Sequence, residues 1–328
     1  MTTLLQTRAL SKTFSPRPSV FARAASNLGL PLRAAPSVYA VDDITLSVAK
    51  GEVLGLVGES GCGKSTVGRM IAGLLPVTSG SLSFEGQDIT RAGAERHLKI
   101  QMVFQNPYAS LNPRQRIDGV VTEAALYHGL VAPRDAPDLC AGLLRKVGLD
   151  PSYALRYPHQ FSGGQRQRIA IARALALDPE FIVCDEAVSA LDVSVQAQVI
   201  NLFMDLRESR DLTYLFISHN LAVVEYIADR VAVMYLGRIV ELADARSVFA
   251  APQHPYTQAL IADAPRMGAK VAEHRPIRGE LPSPLDPPGG CAFHPRCPHA
   301  LARCAVERPA LALSASGHWT ACHLVAAA

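Results

Sequence analysis

Nine consecutive residues constrain this chain more than any other stretch, because they fit the spacing G-x-x-x-x-G-K-[S/T]: Gly58-Glu59-Ser60-Gly61-Cys62-Gly63-Lys64-Ser65-Thr66. Glycines at these positions let the backbone turn tightly and bring successive N–H groups toward phosphate oxygens. The apolar run 53–57 predicts a buried strand before the loop, and residues 67–75 predict a helix after it, with its N-terminus facing the anion. In this pattern the lysine reaches the β- and γ-phosphates and the next hydroxyl binds Mg²⁺. The sequence therefore predicts a nucleoside triphosphate site with these contacts: Gly58, Ser60, Gly61, Cys62, Gly63, Lys64, Ser65 and Thr66.

A second helix start with small residues lies at Ser162-Gly163-Gly164-Gln165. The helix is predicted to run to about Leu177 and to end before Pro179, where proline forbids continuation. A hydroxyl and free amides at a helix N-terminus attract anions. The chain therefore contains two predicted phosphate-binding helix starts.

Two carboxylates end the apolar strand predicted at 181–186. Asp185 is suited to holding Mg²⁺, directly or through water, and Glu186 to polarising an attacking water. An isolated pair of adjacent acids would more simply be a solvated strand end. Because this pair follows a phosphate loop, it predicts a hydrolytic site.

Six motifs in this order resemble those of the ATP-binding subunits of ABC transporters. They are the loop 58–66, Gln105 in Val103-Phe104-Gln105-Asn106-Pro107, the signature 161–166, the Walker B strand 181–186, Ser189-Ala190-Leu191-Asp192, and His219 in Ile217-Ser218-His219-Asn220. The resemblance implies an α/β P-loop NTPase core of ABC type with an antiparallel β-subdomain, a helical subdomain at about 106–160 and a small irregular Cys-rich C-terminal extension. One departure is Asn220, where many relatives carry Asp; its position beside His219 is not expected to change the chemistry.

The same resemblance implies a catalytic set within one subunit. Gln105 would touch Mg²⁺ and the attacking water, and it would sense the membrane partner. His219 would contact the γ-phosphate and hold the catalytic geometry with Glu186, while Lys64 would neutralise charge in the transition state. Ser65, Gln105 and Asp185 would surround the Mg²⁺.

Further motif residues are implied to act between subunits. Ser162, Gly163 and Gly164, with Gln165, would bind the γ-phosphate of an ATP held by a second ATPase subunit. Asp192 would bridge the two subunits. That second subunit would be a non-identical paralogue or a second copy of this chain.

The adenine base has two candidate stacking partners. Phe14 occupies the position usual in the family, but the proline-rich insertion 15–38 interrupts this region before Tyr39. We favour Phe14, with Tyr39 as the alternative. The insertion is expected to be a solvated loop, because it combines prolines and arginines with no acid.

Composition limits the partners. A hydrophobic fraction of 49% and a net charge of +3 describe an ordinary globular chain without the basic bias of a nucleic-acid binder. No apolar run approaches 18 residues and no signal peptide is visible. By resemblance the chain would therefore dock on two membrane permease subunits served by an extracytoplasmic solute-binding protein. It would lie peripherally at the cytoplasmic face of the bacterial inner membrane.

The 328 residues exceed what one core usually fills, so a nucleotide-binding domain at 1–250 and an appended extension at 251–328 are expected. Four of the seven cysteines lie in the extension: Cys291, Cys297, Cys304 and Cys322. Four thiolates in a reducing compartment could hold a [4Fe–4S] cluster or a tetrahedral Zn²⁺, and their spacing does not distinguish the two. Free, merely packed cysteines are the third alternative.

The extension narrows the resemblance. His254-Pro255-Tyr256-Thr257 and the segment 291–297 resemble the C-terminal extension of oligopeptide and dipeptide importer ATPases. This implies ATP-driven uptake of dipeptides or oligopeptides and favours the [4Fe–4S] cluster. Two alternatives stay open: an importer of another small solute, such as glutathione or a nickel chelate, and an ABC-type ATPase without cargo, such as a carbon–phosphorus lyase accessory ATPase.

Overall fold

The computed structural model describes residues 2–15, 37–91, 98–263 and 279–325, so most of the insertion expected at 15–38 lies outside the described residues. The strands are β1 (Thr3–Phe14), β2 (Val38–Ala49), β3 (Val53–Val57), β4 (Ser79–Phe84), β5 (Gln87–Asp88), β6 (Ile100–Val103), β7 (Phe181–Asp185), β8 (Thr213–Ile217), β9 (Arg230–Tyr235), β10 (Arg238–Asp244), β11 (Ala312–Leu313) and β12 (Trp319–Thr320). The helices are α1 (Lys64–Ile71), α2 (Pro107–Ser110), α3 (Ile117–Tyr127), α4 (Ala136–Lys146), α5 (Gly163–Leu175), α6 (Val193–Arg210), α7 (Leu221–Ile227), α8 (Ala245–Ala250) and α9 (Pro255–Ala262).

The first sheet is antiparallel and has the order β2-β1-β4-β5. Along β2, buried residues such as Ile44, Leu46 and Val48 alternate with more exposed ones. This alternation is the pattern of a sheet with one face on a core and one face toward solvent. The sheet is the β-subdomain expected from the sequence.

The second sheet carries the parallel core of the molecule. Its order is β11-β12-β10-β9-β3-β8-β7-β6, and the neighbours from β9 to β6 run parallel. Every residue of β3, β7 and β8 is buried, because both faces of the sheet are covered. Along β3, Val53 and Val57 join one hydrophobic core, while Leu54 and Leu56 join the other.

The order of these strands positions the site. In parallel strands the carboxyl ends meet at one edge of the sheet, and ligands bind in the crevice there. The phosphate loop follows β3, and Asp185 ends β7. Gln105 follows β6 and His219 follows β8, so the four motifs meet although they are far apart in sequence.

Helices α2 to α4 lie between β6 and α5, within the stretch expected to form the helical subdomain. Val121, Leu144 and Ile169 from α3, α4 and α5 belong to one buried cluster. The helices therefore pack together against the signature helix α5.

The C-terminal extension continues the core sheet. Strand β12 pairs antiparallel with β10, with Glu241 opposite Thr320 and Leu242 opposite Trp319. The ring of Phe293, 2% exposed, packs on Tyr235 and Tyr256 with centroid separations of 5.3 and 5.4 Å. The extension therefore shares both a sheet and a core with the residues before position 250.

Candidate nucleotide site

The phosphate loop adopts positive φ angles at its glycines. Gly63 has φ +108°, and a Cβ there would lie 2.1 Å from the carbonyl oxygen of Ala40. Gly58 has φ +151°, and its Cβ would lie 2.1 Å from the carbonyl oxygen of Met234. Any larger residue would clash with the backbone at both positions, so the loop requires glycine there.

Lys64 lies folded over this loop. Its Nζ donates to the carbonyl oxygens of Gly58 and Glu59 at 2.8 and 2.9 Å. The residue is only 5% exposed although it carries a charge. The ammonium is thus held where it can exchange these carbonyls for phosphate oxygens.

Two motifs meet at the start of α1. The hydroxyl of Ser65 donates to Oδ1 of Asp185 at 2.7 Å. Burial raises the pKa of the Asp185 carboxyl, and the hydrogen bond from Ser65 acts in the opposite direction. A carboxylate that is costly to bury and a hydroxyl beside it are oxygen donors of the type that Mg²⁺ prefers.

Glu186 is held from two sides. The side-chain amide of Gln105 donates to its Oε2 at 2.9 Å, and Nδ1 of His219 lies 3.2 Å from the same oxygen. Glu186 itself has φ +50°, an unusual value for a residue other than glycine and one that often marks a functional position. Its carboxylate therefore faces the site between two motif residues, in an orientation suited to binding a water molecule.

A cavity of about 330 Å³ opens above the loop. Its described lining combines the loop with Val38, Tyr39, Ala40, Gln105, Glu186, Leu236, Gly237 and Pro284. Tyr39 is part of this wall. Phe14 is not among the described residues that line the cavity, and its ring lies under the Lys12 ammonium at 5.2 Å.

The signature residues do not line this cavity within the described chain. Ser162 caps α5: its hydroxyl accepts from the Gln165 N–H at 3.3 Å, and the Gln165 side chain accepts from the Ser162 N–H at 3.0 Å. Ser162, Gly163 and Asp192 are exposed. The N-terminus of α5 is thus capped and faces solvent. Its residues lie outside the described lining of the cavity above this chain's own phosphate loop.

Sequence reasoning missed several residues of the site. Pro284, from the extension, lines the cavity, and its carbonyl oxygen accepts from the Tyr39 N–H at 3.3 Å. The sequence indicates Glu59 only as part of the phosphate loop, yet Tyr256 and Arg296 of the extension both contact it. No sequence signal joins residues so far apart. The His-Pro-Tyr motif at 254–256 is the sequence feature that indicates a role for this part of the extension.

The four cysteines of the extension are all free thiols. Burial raises the pKa of Cys291, Cys297 and Cys322, and the neighbouring cysteines raise it further, so the four lie within electrostatic reach of one another. In the described residues no group of three or more His, Cys, Asp or Glu side chains is arranged to hold a metal ion. The structure thus gives the expected [4Fe–4S] cluster or Zn²⁺ no direct support.

The chain resembles known protein families and proteins over most of its length. The ABC transporter family model matches residues 41–189, and the model for the oligopeptide/dipeptide transporter C-terminal region matches residues 240–304. An oligopeptide transport ATP-binding protein of Bacillus subtilis (strain 168) is 49% identical over 98% of this chain and 97% of its own length. The chain belongs to the ABC transporter family. A dipeptide transport ATP-binding protein of Haemophilus influenzae is 48% identical over 87% of this ABC chain and 89% of its own length.

Solved structures agree on the fold. An ATP-binding cassette captured as a dimer with ADP and Pi superposes with a TM-score of 0.62 at 24% identity, covering 74% of this chain and 99% of that one. A component of an ABC transporter complex of Clostridium perfringens gives 0.63 at 24% identity, covering 76% of this chain and 92% of that one. These structures confirm the expected ABC-type P-loop fold, and the family model together with the 49% identical relative confirms the ATPase assignment. No helix in the described parts of the chain has the length and apolar character needed to cross a bilayer.

Proposed function

We propose that this ABC ATPase energises the uptake of dipeptides or oligopeptides through a membrane importer. The observation that carries the proposal is the 49% identity to an oligopeptide transport ATP-binding protein, which extends over 98% of the chain and so includes the extension. Lys64 and Glu186 line one cavity, and His219 lies 3.2 Å from the Glu186 carboxylate; this set supports hydrolysis as the energy source.

The contacts support the proposed catalytic roles. Glu186 binds and deprotonates the attacking water, Gln105 and His219 fix its carboxylate, and Lys64 neutralises charge on the phosphates. Ser65 and Asp185 would supply oxygen ligands for Mg²⁺, with Gln105 lining the same cavity as Ser65. Bound Mg²⁺ neutralises developing phosphate charge. Tyr39 stacks on adenine, because it lines the cavity that the loop also lines.

The signature is proposed to act on a second ATPase subunit. The exposed Ser162 and Gly163, with the buried Gly164, form a helix N-terminus outside the described lining of this chain's own cavity, and Asp192 is exposed at the start of α6. A facing subunit, either a paralogue or a second copy, would offer its bound ATP to this surface. Closure of the pair then moves two membrane permease subunits, which receive cargo from an extracytoplasmic solute-binding protein. The chain would act at the cytoplasmic face of the inner membrane.

The cysteines of the extension are proposed to hold a [4Fe–4S] cluster, with zinc as the runner-up. Backbone N–H groups of Phe293, His299 and Leu324 hydrogen-bond the thiols of Cys291, Cys297 and Cys322 and hold down pKa values that burial raises. Such N–H groups stabilise thiolates, the form that ligates metals.

Anaerobic purification followed by iron, sulfide and zinc analysis tests the cluster. About four irons and four sulfides per chain, lost in Cys297→Ser and retained in Cys140→Ser, are expected. A colourless protein without iron or sulfide would overturn the cluster and leave the ATPase assignment standing.

Uptake of labelled trialanine by proteoliposomes tests the proposed transport. We expect ATP-dependent uptake by the complex purified through this chain, and none with Glu186→Gln. Uptake of glutathione or a nickel chelate, but of no peptide, would assign another solute. A complex that hydrolyses ATP but contains no membrane subunit would favour the accessory-ATPase alternative, which the identity to transport proteins argues against.

A further inference from the structure

Two side chains of the C-terminal extension converge on one residue of the phosphate loop. The hydroxyl of Tyr256 accepts from the Glu59 N–H at 2.8 Å. Nη1 of Arg296 donates to Oε2 of Glu59 at 2.9 Å. The extension therefore contacts both the backbone and the side chain of a residue that lies next to Gly58.

Glu59 is also connected to the phosphate-binding lysine. Its carbonyl oxygen accepts from Nζ of Lys64 at 2.9 Å. The N–H, the carbonyl and the carboxylate of Glu59 are thus all engaged. A displacement of Arg296 or Tyr256 would reach Lys64 through this single residue.

Tyr256 and Arg296 are both held by buried packing. Tyr256 is fully buried and packs on Tyr235 with a centroid separation of 4.7 Å and on Phe293 at 5.4 Å. The side chain of Arg296 is 7% exposed, and its Nη1 also lies 3.3 Å from the Tyr235 hydroxyl. Burial alone would lower the Arg296 pKa, but the hydrogen bonds to Glu59 and Tyr235 raise it, so the guanidinium remains charged.

The charge of Glu59 explains why such a partner matters. The side chain of Glu59 is 22% exposed and lies in the loop that receives the triphosphate. Unpaired, its carboxylate would repel the phosphates in surroundings that screen charge poorly. An arginine hydrogen-bonded to it cancels that repulsion and fixes the loop at the same time.

We propose that Arg296 and Tyr256 are positioning residues for ATP binding, which act through Glu59 to hold the phosphate loop and Lys64 in the geometry that accepts the triphosphate. Neither residue belongs to the six nucleotide motifs. The extension is thereby a working part of the ATPase site as well as a cover for the sheet.

Steady-state ATP hydrolysis and binding of fluorescent ATP, ADP and AMP analogues test the proposal. Arg296→Gln removes the charge and keeps hydrogen-bonding groups, and we expect it to raise KM for ATP about tenfold while kcat changes by less than about threefold. The loss of affinity should be greatest for ATP and smallest for AMP, because it acts on the phosphates. Tyr256→Phe keeps the ring packing and should raise KM in the same direction.

Arg308→Gln is the matched control, since Arg308 belongs to the same extension but pairs with Asp42 and Asp43 on β2. It should leave KM unchanged. In the double variant Glu59→Gln/Arg296→Gln, the negative charge that repels the phosphates is gone. Its affinity for ATP should therefore be at least about threefold higher than that of Arg296→Gln. A purely structural role would lower thermal stability without this recovery and without the dependence on phosphate number.

Two results would overturn the proposal: a KM for Arg296→Gln equal to that of Arg308→Gln, or an equal loss of affinity for ATP and AMP. If Arg296→Gln fails to fold, Arg296→Lys and Tyr256→Phe replace it. Under the proposal Arg296→Lys retains most of the ATP affinity, whereas Tyr256→Phe binds ATP more weakly than wild type. Normal ATP affinity in Tyr256→Phe would count against the proposal.

Discussion

The side-chain amide of Gln105 donates to the carboxylate of Glu186 at 2.9 Å, joining the residues that follow two neighbouring parallel strands. His219, after the next strand, lies 3.2 Å from the same carboxylate oxygen. Three strand ends thus hold one carboxylate in place. Substituting one of these side chains at a time would therefore measure its contribution to ATP hydrolysis.

Glu186→Gln should leave ATP affinity within about threefold of wild type and lower kcat by about 10²–10⁴-fold, because the amide cannot accept the proton of the attacking water. Single-turnover hydrolysis together with equilibrium ATP binding measures both quantities. Glu225→Gln, at an exposed position of α7, is the control. Near-normal turnover in Glu186→Gln would remove Glu186 from its assigned role.

Tyr39→Ala should raise KM for ATP about 5- to 150-fold, since stacking on a base contributes about 1–3 kcal/mol. Turnover at saturating ATP should persist. Phe14→Ala, on the neighbouring strand but outside the described cavity lining, should change KM much less. The reverse ranking of the two variants would make Phe14 the adenine partner.

Asp185→Asn should stabilise the nucleotide-free protein at pH 7 and abolish its stabilisation by Mg²⁺ and ATP. Burial raises the pKa of the folded-state carboxyl, so the ionised form opposes folding above that pKa. Below the unfolded-state pKa the carboxyl is protonated in both states, and the advantage of the variant should vanish there. Thermal unfolding at pH 7 and at about pH 3, with and without Mg²⁺ and ATP, measures these differences. A variant less stable than wild type at pH 7 would contradict the destabilisation assigned here to the burial of this carboxylate.

His254→Asn should flatten the acid limb of the stability curve. Burial lowers the pKa of His254 from 6.5 to about 4, so the unfolded chain binds a proton that the folded chain excludes. Wild-type stability should therefore fall as the pH drops from about 6.5 to 4, by up to about 3 kcal/mol from this group. Asparagine can still accept from the Tyr256 N–H, as Nδ1 of His254 does at 3.0 Å.

Urea unfolding at several pH values measures the slope, with His159→Asn at an exposed position as the control for removing one imidazole. The buried Glu241 carboxylate accepts from the backbone N–H of His254 and also contacts the ring of His318. Since these neighbours are present in both variants, His254→Asn and His159→Asn should be compared in the same buffers. An unchanged slope in His254→Asn would show that another group causes the acid sensitivity.

Local spacing made much of the site predictable. The loop 58–66 and the strand ending at Asp185 are continuous in sequence, and parallel strands bring their carboxyl ends together. The choice between Phe14 and Tyr39 could not be made from spacing, because the two lie on paired strands separated by the insertion. Which ring lines the cavity depends on the tertiary packing.

The contacts of the extension were beyond sequence reasoning. Arg296 and Glu59 are 237 positions apart, and nothing local to either residue indicates the other. Strands β11 and β12 have two residues each, too few to show a periodicity. Both features arise from long-range packing.

The pairing of β12 with β10 sets a limit on how this ATPase can be shortened or recombined. A chain cut after residue 250 would leave β10 as an open sheet edge and uncover the rings of Tyr235 and its neighbours, which invites association with other chains. Exchanging nucleotide-binding units between related transporters would therefore succeed only if the tail travels with its own phosphate loop.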